Sequence, residues 1–320
     1  MRVVRELTTL PASPRALAIG TFDGVHVGHR QVIAAALDAA RARGLLSSVV
    51  TFDHHPLAVI DPPRQPQLLT PLPVKIELIE ELGVDELVVL PFDLEVASWS
   101  PAEFCASILS GRLHARLVAV GANFTFGAGG HGTPSSLRRY GREHGFEVCV
   151  VELVRADGKT ISSTRIRRLL EAGNLVEVRH ILGRPPRVLG TVVRGFERGR
   201  RLGFPTANIE AETGTMFPGR GVYAARALVG DSWHTAAVNV GHNPTFRHHG
   251  DELGIVHVEA YLLDFSADIY GAPIRLDFLH KIRDERRFEF VDDLVEQMCA
   301  DIDTVRAYVD PALDAGAPER

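Results

Sequence analysis

The chain has little cysteine, little tryptophan and almost no lysine. Its 320 residues carry only Cys105, Cys149 and Cys299. These are far apart, odd in number and set in apolar surroundings. That excludes a disulfide framework or a Cys-rich zinc site and predicts three buried, reduced thiols. No run of about eighteen apolar residues occurs, so no membrane-spanning helix is expected. The opening Met1-Arg2-Val3-Val4-Arg5-Glu6 lacks the apolar core of a signal peptide, and a cytoplasmic protein is expected. Excess positive charge is missing too: a net charge of −5 argues against a nucleic-acid partner. Lysine supplies only Lys75, Lys159 and Lys281 among 35 basic residues, a bias that reads as genomic base composition. What is present is ordinary for a globular protein, with 45% hydrophobic and 23% charged residues and enough length for two domains.

The most informative stretch is Gly20-Thr21-Phe22-Asp23-Gly24-Val25-His26-Val27-Gly28-His29. It follows the apolar segment Ala16 to Ile19 and leads into an Ala-rich helix, so both histidines sit where a strand gives way to a helix. Free backbone N–H groups and the positive end of the helix dipole make such a junction a phosphate site. Gly28 lets the backbone approach a ligand, and two imidazoles can donate to phosphate oxygens as charge builds on a transferring phosphorus. A lone histidine at a helix start is a cap or a surface residue. The His-x-Gly-His spacing after Phe22-Asp23-Gly24, however, resembles the signature of the nucleotidylyltransferase superfamily. The resemblance implies transfer of a nucleoside monophosphate from a triphosphate to a phosphorylated acceptor. Gly20, Phe22, Asp23 and Gly24 are then nucleotide-binding, and His26 and His29 catalytic.

The first half alternates strand and helix. Val32, Ile33, Ala36, Leu37 and Ala40 form one helical stripe ending at Gly44. Strands are expected at Ser47 to Phe52, Glu86 to Leu90, Leu117 to Gly121 and Glu147 to Leu153. Helices are expected from Thr70-Pro71, from the capping box Ser100-Pro101-Ala102-Glu103 to Gly111, and from Thr133-Pro134. Strands apolar on both faces, separated by helices, mean a parallel sheet covered on two sides. Ligands bind such sheets beyond the C-terminal strand ends, which gathers Gly20 to His29, Phe52 to Pro56 and Asn123 to Gly127 around one cleft. Further on, Ile161-Ser162-Ser163-Thr164-Arg165-Ile166-Arg167 leads a short helix stopping at Gly173. Ser162 or Ser163 can cap it. Two arginines in its first turn oppose the dipole, so a nearby anion is expected to compensate them.

Around Leu182-Gly183-Arg184-Pro185-Pro186-Arg187 helical periodicity stops. Short strands follow at Val188 to Val193, Gly221 to Leu228, Thr235 to Val240, Ile255 to Leu263 and Ile274 to Phe278, the pattern of an antiparallel barrel. A final helix carries Val291, Leu294, Val295, Met298, Ile302 and Val305 on one face. Gly195, Gly199 and Gly203, spaced every fourth position in an Arg-rich loop, match neither the Walker A nor the Rossmann pattern. Such a loop either stays a flexible basic segment or wraps phosphates, and it precedes Phe204-Pro205-Thr206-Ala207-Asn208. The Thr206 hydroxyl and Asn208 carbonyl are hard oxygens suited to Mg²⁺. Glu259 lies inside an alternating strand, where it faces solvent or serves chemistry. The histidines His242, His248, His249 and His257 lack helical ligand spacing and read as loop and strand residues.

Taken together, these segments resemble the prokaryotic bifunctional riboflavin kinase/FMN adenylyltransferase (FAD synthetase) family over nearly the whole chain. The kinase half adds Asn239-Val240-Gly241-His242-Asn243-Pro244-Thr245-Phe246, Asp268-Ile269-Tyr270-Gly271 and Ile282-Arg283-Asp284-Glu285 to the match. The implied fold is α/β: a Rossmann-like nucleotidylyltransferase domain with a parallel sheet (1–182), a linker (183–187), and an antiparallel β-barrel riboflavin kinase domain with a C-terminal helix (188–309). A flexible tail (310–320) completes the chain. The implied substrates are ATP, riboflavin and FMN, with FAD as product and Mg²⁺ as cofactor. Asn123, Ser162, Thr164, Arg167, Gly195, Gly199, Gly203, Thr206 and Asn208 are the implied nucleotide contacts. Thr206 and Asn208 are also the implied metal ligands, Glu259 the catalytic base, and Phe52, Arg283 and Phe288 the flavin contacts. A homo-oligomer is left open. The chain departs from the family where Phe52-Asp53-His54-His55-Pro56 has His54 in place of a proline, and where Asn123 and Thr125 replace Asp and Arg. Two other readings stand beside this one: an adenylyltransferase for another phosphorylated acceptor, and a barrel that senses flavin without catalysis.

Overall fold

The computed structural model describes residues 1–195, 202–242 and 256–314. Gly199, Asn243 to Phe246, His248 and His249 lie outside the described residues. The chain divides into two compact units, Met1–Ser163 and Thr164–Arg320.

In the first unit β1 (Arg2–Val4), β2 (Arg15–Ile19), β3 (Leu46–Phe52), β4 (Glu86–Leu90), β5 (Ala115–Gly121) and β6 (Glu147–Val151) form one sheet. All its pairs are parallel and its order is β1-β4-β3-β2-β5-β6. Helix α1 (Val27–Arg43) buries the predicted stripe and stops at Gly44, whose left-handed φ of 63° a glycine adopts without strain. After it come α2 (Leu57–Ile60), α3 (Leu72–Glu80), α4 (Leu94–Ser98), α5 (Pro101–Glu103) and α6 (Pro134–His144). The predicted capping box of Ser100 and Glu103 starts α5, which continues as a π-helical stretch over Phe104–Arg112. A hairpin of β7 (Arg155–Ala156) and β8 (Lys159–Thr160) closes the unit. The strand order reverses between β2 and β5, and the segments after β2, β3 and β5 all leave the same edge of the sheet.

Two features escape the apolar pattern. The short β1 pairs with β4, and Arg15 is fully buried at the head of β2. Arg15 Nε donates to Glu86 Oε2 at 2.7 Å, and its other nitrogens reach Glu86 and the carbonyls of Pro11, Ser13 and Leu113. A buried charge is tolerated when each donor has a partner, so a strand can begin on an arginine. The cysteines also differ from expectation. Cys105 is buried, with its thiol pushed up to about 12 by burial, but Cys149 is half-buried and Cys299 exposed. Cys299 falls one residue past Met298, off the apolar face of its helix.

The second unit opens with α7 (Ser163–Glu171), which starts at the boundary, and α8 (Leu175–Leu182). Both belong in space with the barrel: Gly219 N donates to Leu170 O at 2.8 Å, and a Cβ at Gly219 would meet Glu171 O at 2.0 Å. The strands β9 (Arg187–Val193), β10 (Ala207–Ala211), β11 (Gly221–Val229), β12 (Ser232–His242), β13 (Val256–Leu262) and β14 (Pro273–Arg283) close an antiparallel barrel. The last helix, α9 (Val291–Asp314), seats Val305 and Val309 against Ala224, Leu263 and Leu279. It runs four residues past Asp310, where a tail was expected.

Candidate active sites

In the first unit the chain turns from β2 into α1 through a loop held in an unusual shape. Phe22 and Val25 both have positive φ (47° and 40°), and Gly24 lies at 96°. Asp23 holds this loop in place. Its carboxylate accepts from Thr70 N (2.9 Å), Thr70 Oγ1 (3.2 Å) and Leu69 N (3.3 Å), while Gly24 N donates to Thr70 Oγ1 at 2.7 Å. The sequence expectation gave Asp23 to the nucleotide. The structure turns the carboxylate into the protein, because strained backbone persists only where its surroundings fix it.

His26 is the N-cap of α1, and its Nδ1 accepts from His29 N at 3.2 Å. A neutral ring accepting at Nδ1 carries its proton on Nε2, leaving that N–H as a donor. The two rings stack with centroids 3.5 Å apart and planes 18° from parallel, and Phe22 meets His29 edge-on at 5.4 Å. Burial lowers the pKa of His26 to about 4. His29 is lowered well below the ordinary 6.5, by burial first and then by the charges of His26 and Lys75. Both rings are therefore neutral near pH 7. His29 Nδ1 is buried and has no partner among the described residues. Gly20 and Gly28 keep the loop open, since a Cβ on either would sit 3.2 Å from the Phe22 or the His26 ring.

Phe52, at the end of β3, meets Phe92 edge-on with centroids 5.0 Å apart. His54 bridges this corner: its Nε2 lies 2.8 Å from Phe92 O and its Nδ1 2.9 Å from Asp53 Oδ1. Asn123 is exposed on the turn after β5. Lys75 on α3 is buried, and no sequence signal singled it out. Ser163, the last residue of the first unit, donates its Oγ hydrogen to Asp23 O at 2.8 Å. Ser162 is half-buried, Thr164 exposed and Arg167 half-buried. The anion expected near the first-turn arginines is, for Arg165, the Glu177 carboxylate of α8.

The second unit holds two cavities that share a wall. One, of about 430 Å³, is lined by Gly195, Thr206, Asn208, Leu262 and the loop Phe265 to Tyr270. The other, of about 260 Å³, is lined by Thr206, Asn239, Glu259, Tyr261, Arg283, Phe288 and Met298, among others. Thr206 faces both, and its Oγ1 donates to Glu259 Oε2 at 3.4 Å. Strand register explains the gathering. Glu259 of β13 pairs with Asn208 of β10 on one side and Asn239 of β12 on the other, and Asn239 pairs onward with Val222, which faces Arg283. Paired residues of neighbouring strands point to the same face. One row across the barrel therefore presents a carboxylate between two carboxamides.

The structure adds four particulars for this unit. Ala207 and Asn208 open strand β10, and Thr206 directly precedes it. Gly195 accommodates Asn208, since a Cβ there would meet Asn208 Nδ2 at 2.0 Å. Gly203, at φ 88° with open space beside it, is a turn glycine. Arg283 lines the smaller cavity with Phe288, but its guanidinium is held by buried Asp301 at 2.8–3.0 Å. Asn239 and Asp301 were not anticipated. Asn239 lies inside a segment that carried the family resemblance, whereas Asp301 is a lone acid on an amphipathic helix and gave no signal.

Residues 10–165 match the family described as FAD synthetase, and residues 182–309 the family described as riboflavin kinase. A Listeria monocytogenes bifunctional riboflavin kinase/FMN adenylyltransferase is 37% identical over 295 residues, covering 92% of each chain. The Escherichia coli K12 protein of the same name is 35% identical over 312 residues, 96% of this chain and 98% of that one. Among solved structures, a Streptococcus pneumoniae chain described as a macrolide-efflux protein superposes with a TM-score of 0.84. It is 32% identical and covers 95% of this chain and 98% of its own. No helix among the described residues is long and apolar enough to cross a membrane.

Proposed function

Since the chain belongs to the bifunctional riboflavin kinase/FMN adenylyltransferase family, we propose how its own residues divide the two reactions. The enzyme phosphorylates riboflavin to FMN and adenylylates FMN to FAD, and the readings with another acceptor or a non-catalytic barrel are not favoured. In our reading the barrel is the kinase. ATP occupies the larger cavity and riboflavin the smaller, so that the transferred phosphoryl group passes at Thr206. The observation that carries this is the wall itself: one hydroxyl faces both cavities and bonds the carboxylate beside it. Glu259 takes the proton of the ribityl 5′-hydroxyl as that oxygen attacks the γ-phosphorus, and ADP leaves.

Mg²⁺ fits the residues present. Thr206, with its hydroxyl, and Asn208, with its carboxamide oxygen, line the larger cavity, and a small set of hard oxygens that leaves room for phosphates and waters is what Mg²⁺ takes. Bound there, it would neutralise charge on the phosphates.

In the first unit, we read the His loop as the adenylyltransferase centre. The FMN phosphate attacks the α-phosphorus of ATP and pyrophosphate departs. The nucleophile is already ionised, so no base is required. Neutral His26 and His29 serve as hydrogen-bond donors to the phosphoryl oxygens, at an N-terminus whose dipole also favours anions. We place the flavin over Phe52 and Phe92, the nucleotide against Gly20, Phe22 and Asn123, and the enzyme in the cytoplasm. Incubation with riboflavin, ATP and Mg²⁺, followed by chromatography, should yield FMN and then FAD. FMN that accumulates without FAD would remove the His loop from the mechanism.

A further inference from the structure

Lys75 is the group that the two reactions leave unexplained. It lies in the first turns of α3 with only 8% of its surface exposed. Its Nζ has one hydrogen bond, a long one of 3.4 Å to Thr51 Oγ1, which in turn donates to Thr21 O at 3.2 Å. Among the described residues no carboxylate comes within ion-pairing distance of this ammonium. The two acids whose charges act on it are engaged elsewhere. Asp23 accepts from Thr70 and Leu69, while Asp53 accepts from Phe92 N at 3.0 Å and His54 N at 2.9 Å. An ammonium has three donors, and burying one unpaired is costly unless a ligand supplies the anion.

Its position narrows that anion. Thr51 immediately precedes Phe52 on β3, and β3 lies next to β2, whose C-terminal loop carries the histidines. Lys75 thus stands at the C-terminal ends of β2 and β3, beside the His loop, and its charge is felt at His29. A lysine supplies a compact, titratable charge where an arginine would stay charged at every working pH, which makes it notable in a chain whose basic residues are almost all arginine.

We propose that Lys75 is a substrate-binding residue of the adenylyltransferase site, its ammonium holding the phosphate of FMN as that phosphate attacks ATP. The proposal rests on the reading that flavin occupies the Phe52 side. It adds a cation that lowers the repulsion between a dianionic nucleophile and a triphosphate. The groups that set its charge are Asp23 in the β2–α1 loop, Asp53 after β3 and His29 on α1. Burial brings Lys75 down to about 8, partly offset by Asp23 and Asp53.

The test uses the whole enzyme, with its kinase activity as an internal check of folding. Lys75→Met should raise the KM for FMN at least tenfold, which is about 1.4 kcal/mol, and change the KM for ATP less than twofold. Riboflavin phosphorylation should be unaffected. In the wild type, kcat/KM for FMN reports the free enzyme and should fall as pH rises through about 8. In Lys75→Arg that alkaline limb should disappear, which a purely structural role would not cause. This second comparison also serves if the Met variant fails to fold. An unchanged KM for FMN, an equal rise in the KM for ATP, or a limb retained in the Arg variant would each overturn the proposal. Failure of the underlying site reading looks different: Phe52→Ala would then leave the KM for FMN unchanged while FAD still formed.

Discussion

The ring of His26 lies flat on that of His29, 3.5 Å between centroids, while the amide of His29 donates to the Nδ1 of its partner at 3.2 Å. One contact fixes the tautomer of the first ring and the other fixes the plane of the second. Neither ring can be altered without disturbing its neighbour. His29→Ala should therefore lower FAD formation from FMN roughly 10²-fold or more, the scale of losing one oxyanion donor. FMN formation from riboflavin should stay at the wild-type rate. Unchanged FAD synthesis in a folded variant would remove His29 from the reaction.

The buried pair also makes a pH signature. Burial holds His26 at about 4 in the folded chain, against an ordinary value of 6.5. Between those values the unfolded state binds more protons, so stability rises with pH across the window. The contribution is complete above pH 6.5 and is lost as pH falls toward 4, at about 1.4 kcal/mol per unit. His29 shifts in the same direction. His26→Asn retains a side chain that caps helices well and removes the titration. Thermal melts from pH 7 to pH 4.5 should show a shallower acid loss in this variant. Parallel curves for the two proteins would contradict the assignment.

Much of the fold was legible because burial leaves a periodic trace. The α1 stripe and its Gly44 stop, the Ser100 and Glu103 capping box, and five of the six sheet strands follow from spacing alone. What stayed hidden was polar and non-local. Arg15 interrupts an apolar strand, yet it is satisfied by Glu86, 71 residues away. Asp23 is tied to Thr70, 47 residues away, a link that leaves no periodic trace. Asp301 and Lys75 sit on helices where an isolated charge looks solvent-facing. At Asn208 the chemistry was legible while the strand was not, because a five-residue strand next to a Gly-rich loop has too few positions to show alternation.

The carboxylate in the barrel row gives a second division-of-labour test. Glu259→Gln keeps the shape and the hydrogen bond with Thr206 but cannot accept a proton at neutral pH. Riboflavin phosphorylation should drop by roughly 10² to 10⁴, the range of a lost general base. Conversion of supplied FMN to FAD should remain at the wild-type rate. If both activities fall together in a folded protein, the two sites are not separate. If neither falls, another group takes the proton.

Gly195 offers a test of how the metal ligands are positioned. A methyl group there would lie 2.0 Å from Asn208 Nδ2 and 2.3 Å from its Cγ, too close for any side chain to remain. The backbone of Asn208 cannot move away, because β10 is paired to Val193 on one side and Glu259 on the other. The carboxamide must instead rotate out of the larger cavity. Gly195→Ala should therefore behave like Asn208→Ala, lowering riboflavin phosphorylation roughly 10- to 100-fold through misplacement and raising the Mg²⁺ requirement. The double variant should be no worse than either single one, because the methyl group has nothing left to displace. Additive losses would mean that the glycine acts on the phosphates directly. An unimpaired Gly195→Ala kinase would show that Asn208 does not depend on the space beside it.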